Sequence, residues 1–394
     1  MRLARSWFIV TAAATASAIL ALAPATRADA RPAASPAGVA ASRACPPAGF
    51  AVSFSDSLDK LVYHGVALGG LSSLAWDPRS AAWVSAVDNH GTDPARIWFF
   101  RNLAHPTVIR DPLVLRQPDG TAYDGTNSDN EGLAVLPDGN YLVSSETEPS
   151  IRIYGRDGVQ KASLPVPARF AVTGTTPEGQ ATSNATLEGL TISRSGREIV
   201  AAMEGALSGD VSSSGDATLH RFLVYDLDRH GNWQLTKQLA YRTEAGNRIP
   251  EVQAYGRDSL LVEEAAFSTT AGNSEELYAV TGVNAAPDVS TVANLSVAPG
   301  KDVVSKKLVA NLVACPTLGA PSRETQANPL LDNYEGITGG PGLAGGEGSH
   351  ELRQLDQEVQ HPGELGRAEV VVADEGDAGR AGAADDGHAL VVVQ

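Results

Sequence analysis

Asp129-Asn130-Glu131-Gly132-Leu133-Ala134-Val135-Leu136-Pro137-Asp138-Gly139-Asn140-Tyr141-Leu142-Val143-Ser144-Ser145-Glu146 is the stretch on which the fold reading turns. It opens on acids, runs through a short apolar segment, reverses at Pro-Asp-Gly, and returns through a second apolar segment to another acid. Asp-Gly between two apolar runs predicts a tight hairpin. The pattern recurs. Gly69-Gly70-Leu71 opens a copy that closes on Asp88-Asn89, and Leu187-Glu188-Gly189-Leu190 opens one that turns at Ser195-Gly196 and closes on Met203-Glu204-Gly205. Weaker copies run from Pro250-Glu251-Val252 to Leu261-Val262-Glu263-Glu264 and begin again at Asn333-Tyr334-Glu335-Gly336-Ile337. Units of this length, repeated, predict a solenoid, propeller or array rather than one open sheet.

Around each hairpin the chain adds further short strand candidates. Leu74-Ala75-Trp76, Trp83–Val87 and Ile97-Trp98-Phe99-Phe100 surround the first copy, Ile151-Arg152-Ile153-Tyr154 follows the second, Arg221–Asp226 the third and Glu276–Val280 the fourth. Three or four strands per unit is the content of a propeller blade. The 39 Gly and 23 Pro also favour turns over helix. The expectation is an all-β β-propeller of about six blades, the last possibly incomplete.

Arg2 and Arg5 precede an apolar run from Trp7 to Ala23, and Ala28-Asp29-Ala30 supplies small residues for cleavage, so residues 1–30 read as a signal peptide. Residues 31–48 read as an Ala/Pro-rich leader, 49–338 as the repeat domain, and 339–394 as an acidic Gly/Ala-rich tail. That tail has no aromatic residue beyond position 340, and its composition predicts disorder. Export predicts a secreted, extracellular protein without stable membrane insertion after cleavage. In that setting the two cysteines, Cys45 and Cys315, predict one disulfide joining the ends of the repeat region. A loop that long gives about 5 kcal/mol in the chain-entropy picture.

The formal net charge of -16 excludes a phosphate backbone as partner, so no nucleic acid is expected, and it disfavours anionic membrane surfaces. Acids recur at two places in the unit. Glu131, Glu188, Glu251 and Glu335 stand at the openings, and Asp88, Glu146, Glu204 and Glu264 at the closings. In a propeller, equivalent positions of the inner strands form a ring at one end of the channel. A ring of carboxylates must neutralise itself, and the scarcity of nearby Lys and Arg favours a divalent cation such as calcium. Glu131, Glu188 and Asp88 are the candidate catalytic acids, and Glu146, Glu204, Glu251, Glu264 and Glu335 the candidate metal ligands. His90, Arg96 and Arg221 are candidates for holding an anionic substrate. The structural alternative is that Glu-Gly ahead of a strand caps backbone amides between blades, that His90 is a solvated turn residue, and that the arginines face outward from strands. No Gly-x-Ser-x-Gly elbow, Walker loop, His-Glu-x-x-His helix or Cys-x-x-Cys pair is present.

Through these motifs, and through Phe267-Ser268 with Gly272-Asn273 and Asn328–Gly336, the chain resembles the secreted phytase-like family whose domain is described as the esterase-like activity of phytase. The resemblance spans about residues 60 to 338. It implies a propeller-like fold and a phosphoesterase or phosphodiesterase site marked by Asp88, Glu131, Glu146, Glu188, Glu204, Glu251, Glu264 and Glu335. Two departures stand out. Glu264-Ala265 occupies the place of the family's Glu-Arg, and nothing after Gly336 matches the family's final strand, as though the reading frame shifted near Gly339. The expected activity is hydrolysis of a small anionic phosphoester by a monomer, with a metal-dependent lactonase or carboxylesterase, or a non-catalytic binding propeller, as alternatives.

Overall fold

A computed structural model describes residues 44–316 apart from positions 56, 59, 89, 90, 104, 256, 257 and 299, then 333–339, and the backbone of two strands, Glu369–Glu375 and His388–Val392. The proposed signal peptide and most of the leader lie outside the described residues. Among the described residues no helix is long and apolar enough to cross a membrane.

Strands dominate, interrupted only by short 3-10 turns. Four sheets in succession are antiparallel meanders. The first carries Ala75–Asp77, Ala82–Ala86, Arg96–Arg101 and Thr107–Val108, with Leu113–Val114 paired to its third strand. The second comprises Asn130–Val135, Tyr141–Ser145, Ser150–Tyr154 and Gln160–Leu164. The third comprises Leu187–Ile192, Glu198–Met203, Leu219–Leu227 and Trp233–Arg242, and the fourth Val252–Tyr255, Ser259–Ser268, Gly272–Thr281 and Lys306–Asn311. The Pro-Asp-Gly hairpin of the second sheet forms as read, with Gly139 at φ 85°, where a side chain is disfavoured.

The inner strands lie side by side around an axis. Asn130–Val135 contacts Ala75–Asp77 on one side and Leu187–Ile192 on the other, which in turn meets Val252–Tyr255. Asn333–Thr338 closes the circle by touching both Val252–Tyr255 and Ala75–Asp77. It belongs to a fifth sheet of mixed topology, where Ala44–Cys45 and Gly49–Ser55 join Asn333–Thr338 through Glu369–Glu375 and His388–Val392. The molecule therefore has four propeller-type blades, not six. Long connections explain the difference, because segments such as 282–298 pass between strands as turns and 3-10 helices and build no blade. Within the acidic Gly/Ala-rich region after position 339 two strands are described, and both coincide with valine-rich runs, Val370-Val371-Val372 and Leu390-Val391-Val392.

Apolar faces pack between neighbouring sheets. Leu142, Ile151, Phe170, Leu190, Ile199 and Tyr225 fill the space between the second and third, and Val200, Phe222, Tyr241, Val252 and Val280 that between the third and fourth. Cys45 and Cys315 form the expected disulfide across 270 residues, beside the core shared by the fourth and fifth sheets.

Candidate functional site

One backbone device fixes the mouth of the ring. In each of the four meander blades the inner strand gains one residue relative to its neighbour: Leu71 pairs with Val87 but Ala75 with Val84, Asn130 with Ser145 but Leu133 with Val143, Leu187 with Met203 but Leu190 with Ala201, and Arg248 with Ala265 but Val252 with Val262. Such a bulge re-aims the side chains beside it. The same amide-to-carbonyl bond stands next to each bulge, from Asp88 to Gly70, Glu146 to Asp129, Glu204 to Thr186 and Ala265 to Arg248. These bonds make the blades superposable by register. Ser72, Glu131, Glu188 and Pro250 are equivalent at the opening, and Asp88, Glu146, Glu204 and Ala265 at the closing.

Three acids converge. One carboxylate oxygen from each of Glu131, Glu146 and Glu188 lies within 4.8 Å of the others, and Asp88, Asp129 and Glu131 form a second such group. Glu146 accepts a hydrogen bond from the Thr186 amide. Ser144 Oγ accepts from Gly132 N at 2.7 Å and donates to the Glu188 carbonyl at 2.9 Å, tying the second inner strand to the third. Gly132 is required there, because a Cβ would stand 2.4 Å from the Glu188 carbonyl oxygen. Ser72 Oγ bonds Glu131 Oε2 and lies 2.8 Å from Glu335 Oε2. Glu188 Oε2 is buried and has no hydrogen-bond partner.

Burial and mutual repulsion hold these groups well above the ordinary glutamate range. For Glu131 the burial is reinforced by Glu188, Asp88, Asp129 and Glu146; for Glu188 by Glu146, Glu204 and Glu335 against the pull of Arg248; for Glu146 by Glu204 against the Thr186 amide. Clustered hard oxygen donors of raised proton affinity, one of them unpartnered, fit a divalent cation. Glu204 and Glu335 sit slightly apart. Arg248 Nη1 lies 3.0 Å from Glu204 and 3.7 Å from Glu188, and Nη2 lies 3.4 Å from Glu335.

Other candidates fall elsewhere. Glu251 takes the place of Gly132 and Gly189, one residue past the opening position, and Glu264 takes the place of Met203, one residue before the closing position. A one-residue shift in a strand turns the side chain to the other face. Glu251 accepts from the amides of Leu190 and Val252, each at 2.8 Å, and staples the third blade to the fourth, as in the structural alternative. Glu264 is sequestered by Tyr241 Oη at 2.6 Å, the Glu244 amide at 2.7 Å and Lys306. Arg221 is wholly buried and bidentate to Asp210 at 2.6 and 2.8 Å, with Gln238 and two carbonyls completing its bonds, so it pins the third blade and cannot meet a substrate. Arg96 donates to the Pro94 carbonyl at 2.8 Å. His90 lies outside the described residues.

Ser72, Asp129 and Arg248 are members of the mouth that the repeat motif misses. Their signal is the offset from each blade's bulge, which becomes visible once the strands are paired. Glu263 and Glu275 also escape a sequence reading. Both are fully buried in the fourth blade, and neither carboxylate oxygen of Glu263 has a hydrogen-bond partner.

Several solved propellers are distantly similar. Periplasmic gluconolactonase PpgL of Pseudomonas aeruginosa is 13% identical, with 64% of this chain and 74% of that one covered and a TM-score of 0.29. A streptogramin B lyase is 10% identical over 54% of this chain and 63% of that one, with a TM-score of 0.27. The β-propeller domain of Cps50 (Swd1) from Myceliophteria thermophila is 13% identical over 64% and 61%, with a TM-score of 0.30. The chain thus spans less than two thirds of the last two. No sequence among the curated proteins matches. The phytase-like family, described as esterase-like activity of phytase, matches residues 66–351, well over half of the chain and all four meander blades, and the chain belongs to that family.

Proposed function

We propose that the protein is an exported hydrolase of phosphate esters or diesters that works with carboxylate-bound calcium. The observation that carries this reading is the convergence of Glu131, Glu146 and Glu188 with Glu188 Oε2 left unpartnered. Family membership and the Cys45–Cys315 bond support hydrolysis and an oxidising compartment respectively.

Glu131, Glu146 and Glu188 would hold the cation, which when bound supplies electrophilic polarisation of a phosphoryl oxygen. Glu146 is pre-aimed by the Thr186 amide and Glu131 by the Ser72 hydroxyl, so little reorganisation of the ligands is needed. Asp88 stands beside Glu131 at the edge of the group and is the acid placed to take a proton from an attacking water. Glu204 and Glu335 are held by Arg248 and keep it oriented towards the mouth.

Turnover of a generic phosphodiester, measured with calcium and with chelator, tests the reading. Chelator-sensitive hydrolysis is the expected result. Turnover confined to lactones or carboxylic esters would replace it by the lactonase alternative, and calcium binding without any turnover would leave a binding propeller.

A further inference from the structure

The fourth blade breaks the pattern of the mouth. At the positions where the second blade carries Asp129, Glu131 and Glu146, and the third Thr186, Glu188 and Glu204, it carries Arg248, Pro250 and Ala265. It therefore gives the rim no acid from these positions and one guanidinium. Arg248 and Ala265 exchange both backbone hydrogen bonds, at 2.8 and 3.0 Å, so the guanidinium springs from the strand residue facing the missing closing acid.

The surroundings keep that cation charged and presented. The Arg248 side chain is 25% exposed, against 12% for Glu204, 6% for Glu188 and 5% for Glu335, so it is the most exposed member of this ion-paired cluster. Glu204, Glu335, Glu188 and Glu275 all hold its proton more firmly, against the opposing effect of burial. Glu263 and Glu275 act from the interior of the blade, where burial raises both carboxyls and Arg248 pulls against it. Glu188 is shared between Arg248 and the proposed cation triad, so a loaded triad withdraws one competitor from Nη1.

We propose that Arg248 is the anion-binding residue of the mouth, gripping a phosphoryl oxygen of the substrate with its planar fork and thereby selecting esters that carry a negative charge beside the scissile bond. The inference rests on the cation-dependent hydrolase reading and deepens it by naming the substrate's charge and orientation. A guanidinium suits this task because its parallel N–H groups match two phosphate oxygens. The mouth is then divided, with acids and cation on the second and third blades and the guanidinium on the adjoining fourth.

Calorimetric titration of the full chain with calcium chloride, then of the calcium-loaded protein with inorganic phosphate, tests this. In Arg248→Gln, calcium should bind several-fold more tightly, because one positive charge has left the acids, while phosphate should bind about tenfold more weakly or worse. In Arg248→Lys, which keeps the charge if the Gln variant fails to fold, calcium affinity should stay within about twofold while phosphate still weakens through loss of the fork. Parallel losses of both affinities in both variants would mean a purely structural role and overturn the proposal. So would phosphate binding that is unchanged in either variant or absent from the parent protein. The hydrolase reading fails by a separate readout, since a parent that binds calcium and phosphate as expected but turns over no ester refutes catalysis and leaves the anion site standing.

Discussion

Ser72 Oγ lies 2.8 Å from Glu335 Oε2, two residues separated by 263 positions in the chain, and the same hydroxyl also contacts Glu131. One hydroxyl owns one proton, so it cannot donate fully to both carboxylates at once. Ser72 links the first blade, the second and the closing strand Asn333–Thr338 in a single polar contact. Ser72→Ala should lower stability by about 1 to 2 kcal/mol, the usual cost of a buried hydrogen bond removed from one side. Hydrogen exchange across Asn333–Thr338 should quicken more than exchange in Leu219–Leu227. Unchanged protection of the closing strand would show that the contact does not help to hold the ring together.

The carboxyls of Glu131, Glu146 and Glu188 are all raised by burial before any other cause. Their folded forms hold protons more tightly than the unfolded chain does, so their contribution to stability is complete below the ordinary glutamate value of 4.5 and is lost as pH climbs through the raised folded values. Glu251, Glu263 and Glu275 shift in the same direction and add to the trend. In chelator the melting temperature should fall as pH rises above the ordinary glutamate value of 4.5, whereas calcium should flatten the decline by binding the ionised forms. A cation-independent slope would argue against binding at these groups.

Glu188 carries the unpartnered oxygen. Glu188→Gln should leave the metal-free protein as stable or about 1 kcal/mol more stable, because a repelled, desolvated carboxylate is gone. The calcium-induced rise in melting temperature should shrink sharply in the same variant, and phosphodiester turnover with it. A variant that loses stability in chelator yet keeps the full calcium response would place the cation elsewhere.

Glu251 gives the opposite outcome. Its carboxylate satisfies two backbone amides between blades, so Glu251→Ala should cost about 1 to 3 kcal/mol in urea unfolding by orphaning them. Glu251→Gln, which retains an acceptor oxygen, should recover most of that loss. Neither change should alter calcium affinity, and a large change in affinity would return Glu251 to the ligand set.

The hairpins were legible because their signal is local. Asp138-Gly139 and the apolar runs beside it dictate a two-stranded turn whatever surrounds them, and the disulfide was expected from two cysteines in a chain whose N-terminus reads as an export signal. Blade number was not legible, since strands and long connections such as 282–298 share much the same composition. The site was half legible. That Glu131, Glu146 and Glu188 come together was legible because they repeat in sequence and in register. Glu251 and Glu264 were misplaced because the motif shows a carboxylate near a strand end but not which face it takes, and a single position decides that. Arg248 was passed over because it belongs to no acidic repeat, and only its pairing with Ala265 puts it at the rim.

The shared bulge has an evolutionary consequence. Because main-chain pairing sets where each rim side chain emerges, serine, glutamate and proline all occupy the opening position on an essentially common frame. Each blade offers a socket of the same backbone shape. A substitution at one socket leaves the strand pairing beneath it in place and acts through the side chains it meets across the rim, so single changes can retune which solutes the rim accepts while the scaffold stays as it was.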